Sequence, residues 1–341
     1  MRATSSFLTG LARVHRAPAV LAGTCALTVL IALPLSIALS GMLEAHLGNS
    51  LAAESVAAGA NHQWWQEFSA QASGLGATFR PSIVGFAAVL RNWGDLLDNA
   101  PLASTIAGAT VAWLVLWSFV SGGVIDRLAR DRRTRSHGFF AACGVHVWRL
   151  LRLGVVALAI YAFLFGWVHG WIFDEGVGRL VRDVTVERTA LLFRIAGYAV
   201  FGAMLIFFNL IFDYARIRIV VEDRRSALGA IGAAARFVRR NPGRVLTLYA
   251  INGLACLALV AAYALLNPGA PGHGLRLWGA LLLGQLYIVA RHYLKLAFYA
   301  SETVLFQSAL AHAGYTAAPP LVWPESPAAE AITNADPVAT S

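Results

Sequence analysis

Charge set inside apolar runs is the part of this sequence closest to chemistry. The run 277–300 carries Gln285, Arg291, His292 and Lys295, with Glu302 just beyond it. The run 189–212 contains Asn209 and leads directly into Asp213. An ionised side chain at the centre of a hydrocarbon layer costs about 2.5–3.5 kcal/mol on insertion scales, so it needs a partner or a task. On a helix, Arg291, Lys295 and Glu302 share one face, and Gln285, His292 and Tyr299 line the adjacent one. Asp213, Arg291, His292 and Lys295 therefore form the candidate intramembrane polar site. Two chemistries fit it. Asp213 can pair with Lys295 or Arg291 and staple the two runs together, which offsets the burial cost of both charges. Alternatively, the four groups bind an anionic substrate or pass a proton.

Elsewhere the spacing of reactive residues is uninformative. HExxH, GxSxG, GxxxxGK[ST] and CxxC are absent. His169, followed by Asp174 and Glu175, comes nearest to a metal cluster, but helical phase sets His169 and Asp174 about 140° apart. An interfacial histidine beside an acidic loop accounts for it. Cys25, Cys143 and Cys256 lack metal or redox spacing and read as small apolar filler. Arg194 lies near the outer end of its run and reaches outward to headgroups. The chain reads as a non-enzyme with no cofactor and no bound metal.

The elements that must position these residues are membrane spans. Of 341 residues, 58% are hydrophobic and 13% charged, against about a quarter charged in soluble chains. Apolar stretches at about 18–42, 102–124, 150–172, 189–212, 245–266 and 277–300 are each long enough to cross a hydrocarbon layer of about 30 Å. The first is too long for the core of a signal peptide and reads as a retained anchor, preceded by a short amphipathic helix over residues 1–16. Residues 43–100 form a cap of interfacial helices. Trp64 and Trp65 suit the interface, and a stripe of Ile83, Phe86, Leu90, Trp93 and Leu97 faces bilayer or bundle. Residues 313–341, rich in Pro, Ala, Ser and Thr, read as a disordered tail. The fold class is all-α: a polytopic membrane domain over 1–312, six transmembrane helices with interfacial amphipathic helices.

Arginine sets the orientation. Segment 126–152 holds seven arginines against two acids, and 213–244 holds eight against three. Segments 43–100 and 174–188 are net acidic. Positive loops stay in the cytoplasm, so both termini lie there. Arginine outnumbers lysine 26 to 1, as in GC-rich bacterial coding sequences, and the bacterial inner membrane is the expected location. The net charge of +9 sits in short loops beside spans, which points to lipid headgroups and excludes nucleic acid as the partner. Two cytoplasmic surface helices are expected, 137–148 and 226–241. The second has Leu228, Ile231, Ala235 and Val238 turned to the membrane, and Asn241-Pro242-Gly243 stops it. Arg132, Arg133, Arg224, Arg225, Arg236, Arg239 and Arg240 are the candidate lipid-headgroup contacts.

The two basic segments repeat one pattern: a span, Asp-Arg-Arg (131–133 and 223–225), a small-residue helix, and an arginine opening the next span (Arg149 and Arg244). The run DYARIRIVVEDRRSALGAIGAAARFVRRNPGR (213–244), with SGGVIDRLARDRR (121–133) and GFFAACG (138–144), resembles the core of uncharacterised multi-span bacterial membrane proteins. It is similar in pattern to the membrane domain attached to some glycerophosphodiester phosphodiesterases. The resemblance covers the second half of the chain and the first basic hairpin. It implies a helical membrane domain without catalytic residues, since the catalytic barrel of those enzymes has no counterpart here. The expected function is a non-catalytic scaffold or accessory subunit that binds anionic lipid or other membrane proteins. The alternative is a small permease or lipid or anion carrier with its site between spans four and six.

Overall fold

The computed structural model describes residues 2–48, 50–58, 61–79, 86–101, 103–267 and 274–310. The tail 313–341, residues 80–85 at the start of the second cap helix and most of the 267–276 loop lie outside them. Every regular element among the described residues is helical. The helices are α1 (Ala3–His15), α2 (Pro18–Leu47), α3 (Ala53–Ala58), α4 (His62–Gln71), α5 (Phe86–Leu97), α6 (Ser104–Arg130), α7 (Ser136–Phe163), α8 (Gly178–Val181), α9 (Glu187–Val221), α10 (Ala227–Arg240), α11 (Pro242–Leu266) and α12 (Leu275–Leu310). Leu164–Val168 and Trp171–Val177 are wound as π-helix and carry α7 on to α8.

Among the described residues, five paths are long and apolar enough to cross a membrane: α2, α6, Ser136–Val181, α9 and α11. The sixth expected span, α12, has the length at 36 residues, but Gln285, Arg291, His292 and Lys295 dilute its apolar stretch. Composition alone therefore supports five membrane-capable helices.

Three helices run well past their apolar stretches at the arginine-rich end, and these extensions make the core. Nearly all of 210–221 in α9, 296–306 in α12 and 121–129 in α6 is buried. The other halves of the same helices turn large apolar side chains outward, as lipid-facing surfaces do.

Two short helices complete the basic end. The lead-in α1 lies across it, burying Ala3, Ser6, Gly10 and Val14, which fall on one stripe at helical spacing. A Cβ built at Gly10 would fall 2.6 Å from the Ser301 backbone nitrogen, so only glycine permits this approach of α1 to α12. Arg13 donates to the Leu128 carbonyl at 2.9 Å and to Gln307 Oε1 at 2.8 Å, while Gln307 donates to the Ala129 carbonyl at 3.0 Å. Burial lowers the pKa of the Arg13 guanidinium, against the pull of nearby Asp131. Arg127 donates to the Arg16 carbonyl at 3.0 Å, and Arg16 pairs with Asp131 at 2.7 Å.

The second short helix, α10, differs from expectation. Ser226 caps it by accepting from the Gly229 N–H, and it ends before Asn241-Pro242 as the sequence indicates. Its buried face, however, is Ala227, Ala230, Ala233, Ala234 and Phe237, packed mainly on α9. Leu228 is 69% exposed, and Ile231, Ala235 and Val238 lie at the margin of the core. Small side chains let two helix backbones approach closely. Phe237 then fills the space between Tyr214 and Phe306, with ring centroids 5.0 and 5.2 Å away.

The first expected surface helix, 137–148, is likewise not a separate element. It is the opening of α7, which runs without a break into its span because no Pro or Gly interrupts 145–153. Its Cys143 is fully buried against Gly123 of α6. Both Asp-Arg-Arg aspartates adopt left-handed backbone, φ 48° at Asp131 and 51° at Asp223. Asp is among the few non-glycine residues that tolerate this conformation; Asp131 caps α6 directly, and Asp223 turns the chain one residue past Glu222, the cap of α9. At the opposite end, Trp64 is buried, its Nε1 donating to His46 Nδ1 at 3.1 Å, so it packs the cap from inside.

Candidate functional site

The interior polar groups gather where α6, α9, α11 and α12 meet. Asp213 Oδ1 accepts from Arg216 at 2.7 Å and Oδ2 from Asn209 Nδ2 at 2.8 Å. Residues three and four apart on α9 stack on one face, so the helix itself supplies the counter-ion. Asn209 also donates to Tyr249 of α11 at 3.2 Å, and Arg216 to Tyr299 of α12 at 3.2 Å. Trp117 Nε1 donates to the same Tyr299 hydroxyl at 3.4 Å. Nearby, Asn252 donates to Ser301 at 3.0 Å and ties α11 to α12.

The expected pairing of Asp213 with Lys295 or Arg291 is replaced by this arrangement. The Lys295 ammonium rests on indole faces, 3.6 Å from the Trp117 centroid and 4.1 Å from that of Trp113. The two indoles are parallel and stacked 5.5 Å apart. Desolvated cation–π contacts of this kind contribute about 2 kcal/mol. Arg291 is exposed on the outside of α12. His292 Nε2 lies 2.8 Å from Thr28 Oγ1 of α2, and Nδ1 lies 2.8 Å from the Ile288 carbonyl. Thus Asp213 and Lys295 adjoin one network through Tyr299 and Trp117, while Arg291 and His292 stand apart from it.

Sequence reading missed Arg216, Tyr299, Trp113 and Trp117. The available signals were Asp-x-x-Arg and Trp-x-x-x-Trp, both at helical spacing. Glu302 was noted but not assigned. It is 1% exposed, and neither carboxylate oxygen has a hydrogen-bond partner among the described residues. His169 Nε2 sits 2.9 Å from the Leu97 carbonyl, and Glu175 pairs with Arg179 at 2.9 Å, so both have structural partners.

Three cavities lie at the arginine-rich end. One, of about 420 Å³, is lined by Arg218, Arg224, Arg236, Arg240 and Arg244 with Ala233, Phe237, Asn241 and the Ser308–Leu310 end of α12. The second, of about 510 Å³, is bounded by Arg2, Ala3, Gly243, Arg244 and Thr247. The third, of about 430 Å³, is bounded by Arg152, Val156 and Arg225–Leu228. Of the candidate headgroup arginines, Arg132, Arg133, Arg225, Arg236, Arg239 and Arg240 are exposed, and Arg224 is bonded to Glu222. Arg149 at the head of the α7 span pairs with Asp223, which joins the two basic hairpins.

No family model, curated protein or solved structure matches the chain. The chemistry of the site is therefore read from its own residues.

Proposed function

We propose that this chain is a non-catalytic integral protein of the bacterial inner membrane, a scaffold or accessory subunit with its arginine-rich end in the cytoplasm. It crosses the bilayer six times, α12 being the sixth span, with His292 held against Thr28 of α2 and Lys295 against Trp113 and Trp117 of α6. It acts through that end, by holding anionic lipid headgroups or other membrane proteins. The observation that carries this reading is where polar surface is free and where it is used up. Asp213, Arg216, Asn209 and Tyr299 satisfy one another inside the bundle. None of the three cavities is lined by Asp213, Arg291, His292 or Lys295, and each carries arginine. The same reading accommodates kinship with the membrane domain of glycerophosphodiester phosphodiesterases, which is also the non-catalytic part of its protein.

One observation favours a second reading, a small carrier with a polar site between α9 and α12. Glu302 is a buried carboxyl with no partner among the described residues, and such groups inside membranes mark proton and ion paths. One reconstitution separates the two. In vesicles of mixed phosphatidylglycerol and phosphatidylcholine carrying a pH gradient, the scaffold should hold the gradient. On re-extraction it should retain phosphatidylglycerol in excess. A gradient that collapses with wild type and holds with Glu302→Gln would replace the scaffold by the carrier.

A further inference from the structure

We infer that the cavity of about 420 Å³ between α10 and the ends of α9 and α12 is a discrete binding site for a phosphate group carrying two or more negative charges. The inference deepens the anionic-ligand reading above and assigns it to one site per chain, in place of diffuse adsorption to headgroups.

Four observations carry it. First, five arginines, Arg218, Arg224, Arg236, Arg240 and Arg244, converge on one concavity from α9, α10, α11 and the loop before α10. The carboxylate among them is Glu222, bonded to Arg218 and Arg224, which leaves a surplus of four positive charges. Arg236, Arg240 and Arg244 make no ion pair among the described residues. Arg236 and Arg240 are one turn apart on α10, where like charges repel, and a bound polyanion removes that cost.

Second, Arg218 is built in. It is 9% exposed, and its guanidinium lies 4.8 Å from the Phe306 centroid and 5.7 Å from that of Phe237. NH1 bonds both oxygens of Glu222 at 3.0 and 3.1 Å, and its buried Nε has no partner among the described residues. Two aromatic faces and a carboxylate therefore fix this guanidinium in the cavity wall, so one lining cation is positioned before any anion arrives.

Third, Asn241 and Arg244, on either side of the α11 N-terminus, line the same cavity. The 25-residue α11 brings the positive end of its dipole there.

Fourth, the volume falls within the range of about 300–1,000 Å³ usual for small-ligand sites. The donor geometry selects phosphate over carboxylate. Several planar forks suit an anion with three or more oxygens and at least two charges, while a single carboxylate would neutralise only a quarter of the surplus.

The phosphate can belong to a lipid headgroup or to a soluble molecule, and the two are separable with the full chain. In phosphatidylcholine nanodiscs, pyrophosphate is titrated and melting followed. In a second arm without pyrophosphate, nanodiscs contain phosphatidic acid, with phosphatidylglycerol at matched charge as the comparison. A saturable rise in melting temperature is expected in at least one arm. Response to pyrophosphate assigns a soluble ligand, and response to phosphatidic acid above phosphatidylglycerol assigns a headgroup. The double variant Arg236→Gln, Arg240→Gln removes two exposed side chains, and it should bind about tenfold more weakly or worse, equivalent to losing one charge-assisted hydrogen bond. The variant Arg182→Gln, Arg188→Gln removes equal charge from exposed side chains at the opposite end of the molecule and should bind as wild type. No saturable response in either arm, or equal weakening by both variants, overturns the site. Loss of the scaffold function with retained pyrophosphate binding would instead leave the site standing and remove only that function.

Discussion

The two ends of α9 are built for different surroundings. From Leu210 onward nearly every residue is buried against protein, including Phe212, Tyr214, Ile217 and Ile219. Toward its start, Leu191 and Leu192 are each 58% exposed and Ile195 is 52% exposed. The same division runs through α6 and α12, so the molecule consists of a packed basic end and an apolar half that uses lipid as its solvent. In lipid there is little hydrophobic gain from bringing helices together. At the basic end, water supplies that gain, and glycines and alanines supply close contact. Structural specificity should therefore be concentrated at the basic end, where one side chain can decide whether helices dock.

The largest difference should come from Arg216. Arg216→Met strands the buried Asp213 carboxylate, and losses of this kind run to about 3–5 kcal/mol. Adding Asp213→Leu should restore much of the stability, because neither charge then needs desolvation. Melting of the two single variants and the double in detergent gives the coupling directly, and additivity would dissolve the pair.

A smaller effect is expected at Gly10. Gly10→Val forces a side chain into the Ser301 backbone and should cost about 1–3 kcal/mol by overpacking. Gly202→Ala in the apolar half of α9 meets nothing within 4 Å. It should be neutral, or should stabilise by up to about 1 kcal/mol through helix propensity. Matched losses at the two sites would erase the distinction between the ends.

Lys295→Met should cost least, about 2 kcal/mol or less, since it forfeits only the contact with Trp113 and Trp117. A loss as large as that of Arg216→Met would restore Lys295 as the partner of Asp213.

Five of the six expected spans and the charge pattern were legible in the sequence because both follow from composition along the chain. The bounds of α10 were legible because Ser226 and Asn241-Pro242 act locally. The buried face of α10 was not. Ranking side chains by hydrophobicity favours Leu228, Ile231 and Val238, whereas close helix approach is decided by Ala230, Ala233 and Ala234, whose value is their small size. The partner of Asp213 was missed for a related reason. Charges on two different spans suggest pairing between them, while Arg216 sits one turn away on the same helix and reaches back. Glu302 was visible as a charge, but only the packing of Ser301, Glu302 and Thr303 shows it enclosed.

The docking of α1 on α12 has a consequence for biogenesis. Arg13 and its partner Gln307 are 294 residues apart. At roughly 5–20 residues per second of synthesis, α12 arrives roughly 15–60 s after α1 has been made. Through that interval the stripe of Ala3, Ser6, Gly10 and Val14 lacks its main cover, since α1 packs chiefly on α12 and less on α11. Closure of the basic end thus waits for the synthesis of α12, the last described helix. A chain that stalls before α12 leaves α1 open to chaperones and proteases, and a chain that has made α12 hides it.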